Sequence, residues 1–389
     1  MNHVYITGAA SYLPNDPVSN EDIETVLGQI GDQPSRYRQK ILARNGIKQR
    51  FYARRDGKQT HLNEELAANA VMTLLDQKET ALDAIEMLAA GTTVADVMLP
   101  GFGSMLHGRL GGHPLEVVTG AGVCCASMIS FKAAYNALRC GDHKNAVVVG
   151  SELSSAGMKA SRFKRESDAG GYDNEDNDSF KYFNADFLRW MLSDGAGAWL
   201  LETKPKPGQL SLRIDWVKTT SHANSYPTCM YMGTTKTQHL SPKDSFLSYD
   251  TFAEAEGEGL MIIRQDTQLL PIGLMGSVVK DAKTLKEQGL IIPEAVDHFL
   301  PHISSMVAYE PLYEAMVNVG VEIPKERWFT NLSTKGNTGA ASIFISLDEA
   351  FNNGLFREGE NILLMVPESG RFMSCYIHLT CVSHKPTAT

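Results

Sequence analysis

Short apolar runs bounded by glycine or polar residues alternate with longer amphipathic stretches through the first half of the chain. The runs at 4–8, 85–90, 115–119 and 146–150 predict strands, and the stretches at 20–27, 61–75, 103–111 and 127–140 predict helices. Apolar residues recurring every three or four positions mark one helix face, whereas short continuous runs mark buried strands. From 154 to 187 the pattern breaks into a polar, charged stretch that reads as a long loop, and a turn at 193–202 then feeds another strand. The second half opens on a strand at 210–219 and carries an amphipathic region over 249–288. It continues with a strand at 295–300, a helix at 304–320, a strand at 328–331, a helix at 340–353 and strands at 361–367 and 374–380. This order echoes the first half without a strict sequence repeat. It predicts an α/β fold made of two similar halves, 1–205 with an insertion at about 154–187, and 206–389.

At 389 residues the chain can bury a large interior. It holds no run of about eighteen apolar residues, and its first residues enter a strand pattern without a signal-peptide profile, so a soluble, cytoplasmic enzyme without a membrane partner is expected. Six cysteines and eleven histidines show neither paired-cysteine motifs nor metal-ligand spacing, which argues against a metal site and a disulfide framework. The net charge of −9 argues against nucleic acid as a partner. Nine basic residues nevertheless fall between Arg36 and Lys58 against the single acid Asp56, a local patch suited to an acidic or phosphorylated partner.

Candidate chemistry gathers at strand-to-helix junctions. The segment 117–128 runs Val-Val-Thr-Gly-Ala-Gly-Val-Cys-Cys-Ala-Ser-Met, bringing a strand tightly into a helix with thiols at the elbow. Amides at a helix N-terminus favour thiolate, which suits a nucleophile that must attack and then leave a thioester. His302 follows a predicted strand, and Asn337 sits in a glycine-bounded loop that opens a helix. A Cys, His and Asn set can form carbon–carbon bonds, the thiolate accepting an acyl group while the other two donate hydrogen bonds to an enolising thioester. A cysteine protease uses the same residue types, and composition does not separate the two.

At these residues the chain resembles the β-ketoacyl-acyl-carrier-protein synthase III-like enzymes of the thiolase superfamily. The resemblance rests on Ala43–Arg50, Cys124–Met128, Val147–Glu152, Ser193–Ala198, Pro301-His302, Gly336-Asn337-Thr338 and Glu368–Arg371, in family order. It implies a thiolase fold of duplicated αβαβα layers, a homodimer, no cofactor, and substrates carried as phosphopantetheine or coenzyme A thioesters with acyl carrier protein as partner. Residue by residue, it implies Cys125 as nucleophile with Cys124 as packing, His302 and Asn337 as the enolate-binding pair, and the amides of Cys125 and Ser369 as oxyanion hole. Glu152 is a candidate additional base. Lys40 stands where many initiation enzymes have a tryptophan, and with Arg44 and Arg50 it is a candidate docking residue for the carrier or its pantetheine arm.

The stretch 183–194 is similar to the branch that condenses two β-ketoacyl thioesters into a cyclohexanedione, the precursor of dialkylresorcinols. The resemblance thus implies an acyltransferase of secondary metabolism acting by Claisen chemistry with cyclisation. The alternatives are a decarboxylating synthase III that primes fatty-acid or polyketide synthesis with malonyl carrier protein and, from another class, an inactive partner subunit of a synthase complex.

Overall fold

The computed structural model describes residues 1–383 apart from 32, 33, 36 and 165–178, so Arg36 and the acidic run 173–178 lie outside the described residues. Nine strands carry the architecture: β1 Tyr5–Tyr12, β2 Met87–Thr92, β3 Glu116–Ala121, β4 Asn145–Glu152, β5 Gly195–Glu202, β6 Leu210–Ser221, β7 His298–Pro301, β8 Asn361–Pro367 and β9 Met373–Ser383. They form one hydrogen-bonded sheet in the order β7-β8-β9-β6-β1-β5-β4-β2-β3. The β1–β6 join consists of two register pairs, Tyr5 with Arg213 and Ile6 with Leu212, so it links two nearly independent sheets.

Each sheet has the same plan. In the first half β3-β2-β4 run parallel and β4-β5-β1 antiparallel; in the second β7-β8 are parallel and β8-β9-β6 antiparallel. The place of β3 is taken in the second half by a lone parallel bridge between Phe299 and Trp328. The strand expected at 328–331 therefore shrinks to one residue, because Asn331 already caps the helix Leu332–Lys335.

The principal helices are α1 Arg38–Asn45, α2 Asn63–Gln77, α3 Phe102–Leu110, α4 Ala126–Cys140, α5 Ser179–Arg189, α6 Lys280–Glu287, α7 Tyr309–Asn318 and α8 Ser342–Asn352. Strand alternation sorts them into layers. Met87, Ala89, Ala146 and Val148 face a core shared with Phe131 of α4 and Phe344 of α8, while Leu88, Ala90, Val147 and Val149 face α2 and α3. Successive side chains point to opposite faces, so strands covered on both sides read as continuous apolar runs. On the far side Leu363, Met365 and Tyr376 pack on Leu285, Leu312 and Met316 of α6 and α7. The result is the expected five-layer αβαβα stack, with α4 and α8 in the middle.

The middle helices approach their strands closely. A Cβ on Gly91 would lie 2.5 Å from the Ser127 backbone, and one on Gly197 2.5 Å from the Phe344 Cβ. Glycine at these strand positions is what lets each helix start against the sheet. The stretch 154–187 is not one loop: it begins with the helix Ser154–Met158 and ends in α5. The amphipathic region 249–288 is broken into the helix Phe252–Gly257, the helix Leu269–Leu274, a π-helical turn Met275–Val279, and α6. Among the described residues no helix is long and apolar enough to cross a membrane.

Candidate active site

The C-terminal ends of β2 and β4 and the segment leading into α4 meet the loops after β7 and β8 at a cavity of ≈ 370 Å³. The first half contributes Thr93, Cys124 and Glu152, the second His302, Asn337 and Ser369. Methionines 191, 230, 232 and 261 and leucines 270 and 274 build an apolar wall, and Arg162 stands at its edge. A mostly apolar pocket with a few convergent polar groups is the usual form of a small-molecule site.

The elbow corrects one sequence expectation. Cys125 is the N-cap of α4, fully buried, and its thiol turns inward to donate a 3.2 Å hydrogen bond to the Val366 carbonyl oxygen. It does not line the cavity; Cys124 does. The backbone N–H groups of Cys124 and Ser369 both reach the Cys124 sulfur, so the amides that meet at the cavity thiol are those of Cys124 and Ser369 rather than of Cys125 and Ser369. The physical reason is rotational: around a helix start neighbouring side chains diverge by about 100°, and only one of two adjacent thiols can face the cavity. Burial, reinforced by the carboxylates of Glu368 and Glu152, pushes the Cys124 thiol well above its ordinary range despite those two amides. Burial pushes Cys125 up as well, followed by its neighbours Cys375 and Glu368. Both thiols are therefore held in the neutral form.

His302 and Asn337 both line the cavity. The His302 N–H donates to the Met365 carbonyl at 2.8 Å, tying the end of β7 to β8. Its Nε2 is buried without a hydrogen-bond partner among the described residues, and burial lowers its pKa to about 4. The imidazole is thus neutral at physiological pH and free to exchange a hydrogen bond with a ligand. Asn337 is held by the segment 191–193: its N–H donates to Met191 O at 3.1 Å and its carbonyl accepts from Ser193 N–H at 2.8 Å. Its Oδ1 accepts from Gly339 N–H at 3.1 Å, which leaves the Nδ2 donors without a partner among the described residues. The preceding Gly336 has φ 71°, and a Cβ there would lie 2.8 Å from Ser193 Cβ, so the close turn needs glycine.

Glu152 lies at the end of β4 and lines the cavity. Its Oε2 accepts from Thr93 Oγ1 at 2.6 Å and Ala340 N–H at 3.1 Å. Burial outweighs these bonds and raises its pKa to about 7. Thr93, one residue beyond β2, is a site residue that sequence reasoning missed; a polar group just past a buried strand of the α/β pattern was the available signal.

The basic stretch divides. Lys40 and Arg44 are exposed on α1 four residues apart, with no carboxylate partner among the described residues, and neither lines the cavity. Arg50 is buried and donates to Asn20 Oδ1 at 2.8 Å and the Trp190 carbonyl at 3.1 Å, so it knits the fold and cannot serve as a docking residue. A different cluster is closer to the mouth. Arg162 lines it, and Arg162 and Arg54 act together on Lys159, whose pKa is lowered first by burial and then by these two cations. The sequence reading absorbed Lys159 and Arg162 into a loop.

Two family models match the chain. The N-terminal domain of β-ketoacyl synthases matches residues 53–206, which include Cys124 and Glu152, and the C-terminal domain of 3-oxoacyl-[acyl-carrier-protein] synthase III matches residues 285–377, which include His302, Asn337 and Ser369. Among solved structures, 3-oxoacyl-(acyl carrier protein) synthase III from Pseudomonas aeruginosa superposes with a TM-score of 0.69 at 18% identity, covering 99% of this chain and 100% of that one. A variant of OleA from Xanthomonas campestris gives 0.72 at 20% identity, covering 97% and 96%. AbyA1, a tetronic acid condensing enzyme, gives 0.70 at 18%, covering 97% and 99%. At such identities the superpositions establish a shared fold.

Proposed function

We propose that this chain, matched by the two ketosynthase models, is a synthase III-like ketosynthase that joins two acyl thioesters by Claisen chemistry through Cys124. The observation that carries the reading is the convergence on one cavity of a thiol met by two backbone amides, two polar side chains with unsatisfied hydrogen-bonding groups, and a carboxyl of raised pKa.

In the first half-reaction the Cys124 thiol gives up its proton and attacks the carbonyl carbon of an acyl thioester. The amides of Cys124 and Ser369 stabilise the oxyanion, and the carrier thiol leaves with a proton. In the second, the carbonyl oxygen of another thioester accepts hydrogen bonds from His302 Nε2–H and Asn337 Nδ2–H, which strengthen as its α-carbon loses a proton and charge moves onto oxygen. Glu152, poised near neutrality, takes that proton, and the carbanion displaces Cys124 to form the new carbon–carbon bond. When both partners are β-ketoacyl thioesters, a second intramolecular closure yields a cyclohexanedione of the dialkylresorcinol type. The apolar wall of methionines and leucines supports alkyl chains as the cargo.

The cations Lys159, Arg162 and Arg54 are proposed to meet the phosphate of a pantetheine arm, and Lys40 with Arg44 the acidic surface of an acyl carrier protein. Two copies of the chain are proposed to pair along the free edge of β3, where the adjoining loop leaves Val97, Met98 and Leu99 exposed, Leu99 by 86%. Incubation with two β-ketoacyl thioesters, followed by mass spectrometry, is expected to show a condensed, cyclised product without carbon dioxide release. A single linear product limits the enzyme to one Claisen step. Carbon dioxide from a malonyl substrate marks the decarboxylating reading, which the same His302 and Asn337 pair could serve.

A further inference from the structure

The turn that supplies the Ser369 amide is held from both sides. On its outer face the Gly370 carbonyl accepts from Cys229 N–H at 2.8 Å, and the Arg371 guanidinium donates to Tyr226 O at 3.0 Å and Gln238 O at 2.8 Å. Phe372, a non-glycine residue at φ 63°, occupies the left-handed region, a conformation that persists only where surroundings over-determine it. Its ring packs edge-on against Tyr226 at 4.9 Å, and its carbonyl accepts from His222 N–H at 3.0 Å.

On the inner face stands one carboxylate. Glu368 Oε1 accepts from the N–H of Val123 at 2.9 Å, and Oε2 accepts from the N–H groups of Arg371 and Met373 at 3.3 Å each. Glu368 is buried and makes no ion pair among the described residues, and it is absent from the cavity lining. Its two oxygens therefore join backbone amides of two segments far apart in sequence. One is the residue before Cys124; the others lie two and four positions beyond Ser369. A neutral side chain of the same length could satisfy only part of this set, since an amide offers one acceptor oxygen.

We propose that Glu368 is a positioning residue of the oxyanion hole, its carboxylate stapling the elbow to the 368–373 turn so that the Cys124 and Ser369 amides converge on one point. It touches no substrate; it acts through the two amides. The inference rests on the proposed role of Cys124 as the acylated nucleophile. The staple also places a negative charge beside the thiol, an electrostatic disadvantage that a merely convenient packing residue would not bring.

The two effects separate experimentally. Acyl transfer from a thioester to Cys124 needs the oxyanion hole, whereas alkylation by iodoacetamide needs only an accessible thiolate. For Glu368→Ala the expected result is a fall of about 100-fold in the single-turnover acylation rate, the scale of one oxyanion donor, with the half-saturating thioester concentration within about threefold of wild type. Alkylation of the same variant at fixed pH is expected to be faster than wild type, its pH profile displaced toward lower pH. Glu368→Gln, retaining one acceptor, is expected to recover about tenfold of the lost acylation and provides the comparison should the alanine variant fail to fold. Acylation within about threefold of wild type in both variants overturns the proposal, as does a parallel loss of acylation and alkylation. A wild-type chain that alkylates at Cys124 but is acylated by no thioester overturns the proposed function itself, and the staple's role with it.

Discussion

The two halves of the molecule are built alike and equipped differently. Each presents strands ending at the cavity and a middle helix, and both helices lie against glycines of first-half strands, α4 against Gly91 and Gly120 and α8 against Gly150 and Gly197. Just before α4 stands a thiol with its own amide, met by the Ser369 amide of the second half, and β4 beside it ends in Glu152. The loop that leads into α8 carries the Asn337 amide, opposite the neutral imidazole of His302. In the proposed reaction the first half thus supplies the groups that bond covalently and take protons, and the second supplies neutral hydrogen-bond donors. One scaffold used twice thus separates the proposed nucleophile from the proposed enolate-stabilising pair.

Replacing residues on either side tests that division. The largest effect is expected for Cys124→Ala, which should abolish acyl-enzyme formation and condensation by at least about 1,000-fold, read as loss of the mass adduct. On the other side, His302→Ala and Asn337→Ala should each slow condensation about 100-fold to 1,000-fold while leaving the Cys124 adduct in place, so that acyl-enzyme accumulates. Loss of the adduct in either variant would break the division.

Glu152→Gln is expected to slow condensation by roughly 10-fold to 100-fold and to change its pH dependence. A group with its pKa raised to about 7 is protonated below that pH and a base above it, so wild-type condensation should rise through about pH 7 and level off. The glutamine variant should lack that inflection. A smaller effect is expected from Arg162→Ala combined with Lys159→Ala: a rise of several-fold in KM for a carrier-bound thioester with kcat nearly unchanged, since a mouth cation binds ground and transition states alike. The same pair of changes should leave a short thioester lacking the phosphate unaffected.

Much of this was legible in the residues. Strands β2 and β4 announced themselves as apolar runs because they are covered on both faces, and the layers of helices followed from the alternation. His302 and Asn337 were visible because each lies just past a readable element. Other features depended on contacts the pattern does not carry. The 328–331 strand was lost because Asn331 begins a helix instead, and α5 was hidden behind a charged run. Arg50 looked like part of a basic surface, yet its guanidinium is buried and donates to Asn20 and Trp190. The choice between Cys124 and Cys125 turns on which way a side chain leaves a helix cap, and adjacent residues of one type give no signal for that.

The most direct measurement is intact-protein and peptide mass spectrometry after exposure to an acyl thioester, carried out on wild type, Cys124→Ala and Cys125→Ala. One acyl group on Cys124, retained in Cys125→Ala and absent from Cys124→Ala, is the expected result. An adduct that survives in Cys124→Ala and disappears in Cys125→Ala would contradict it.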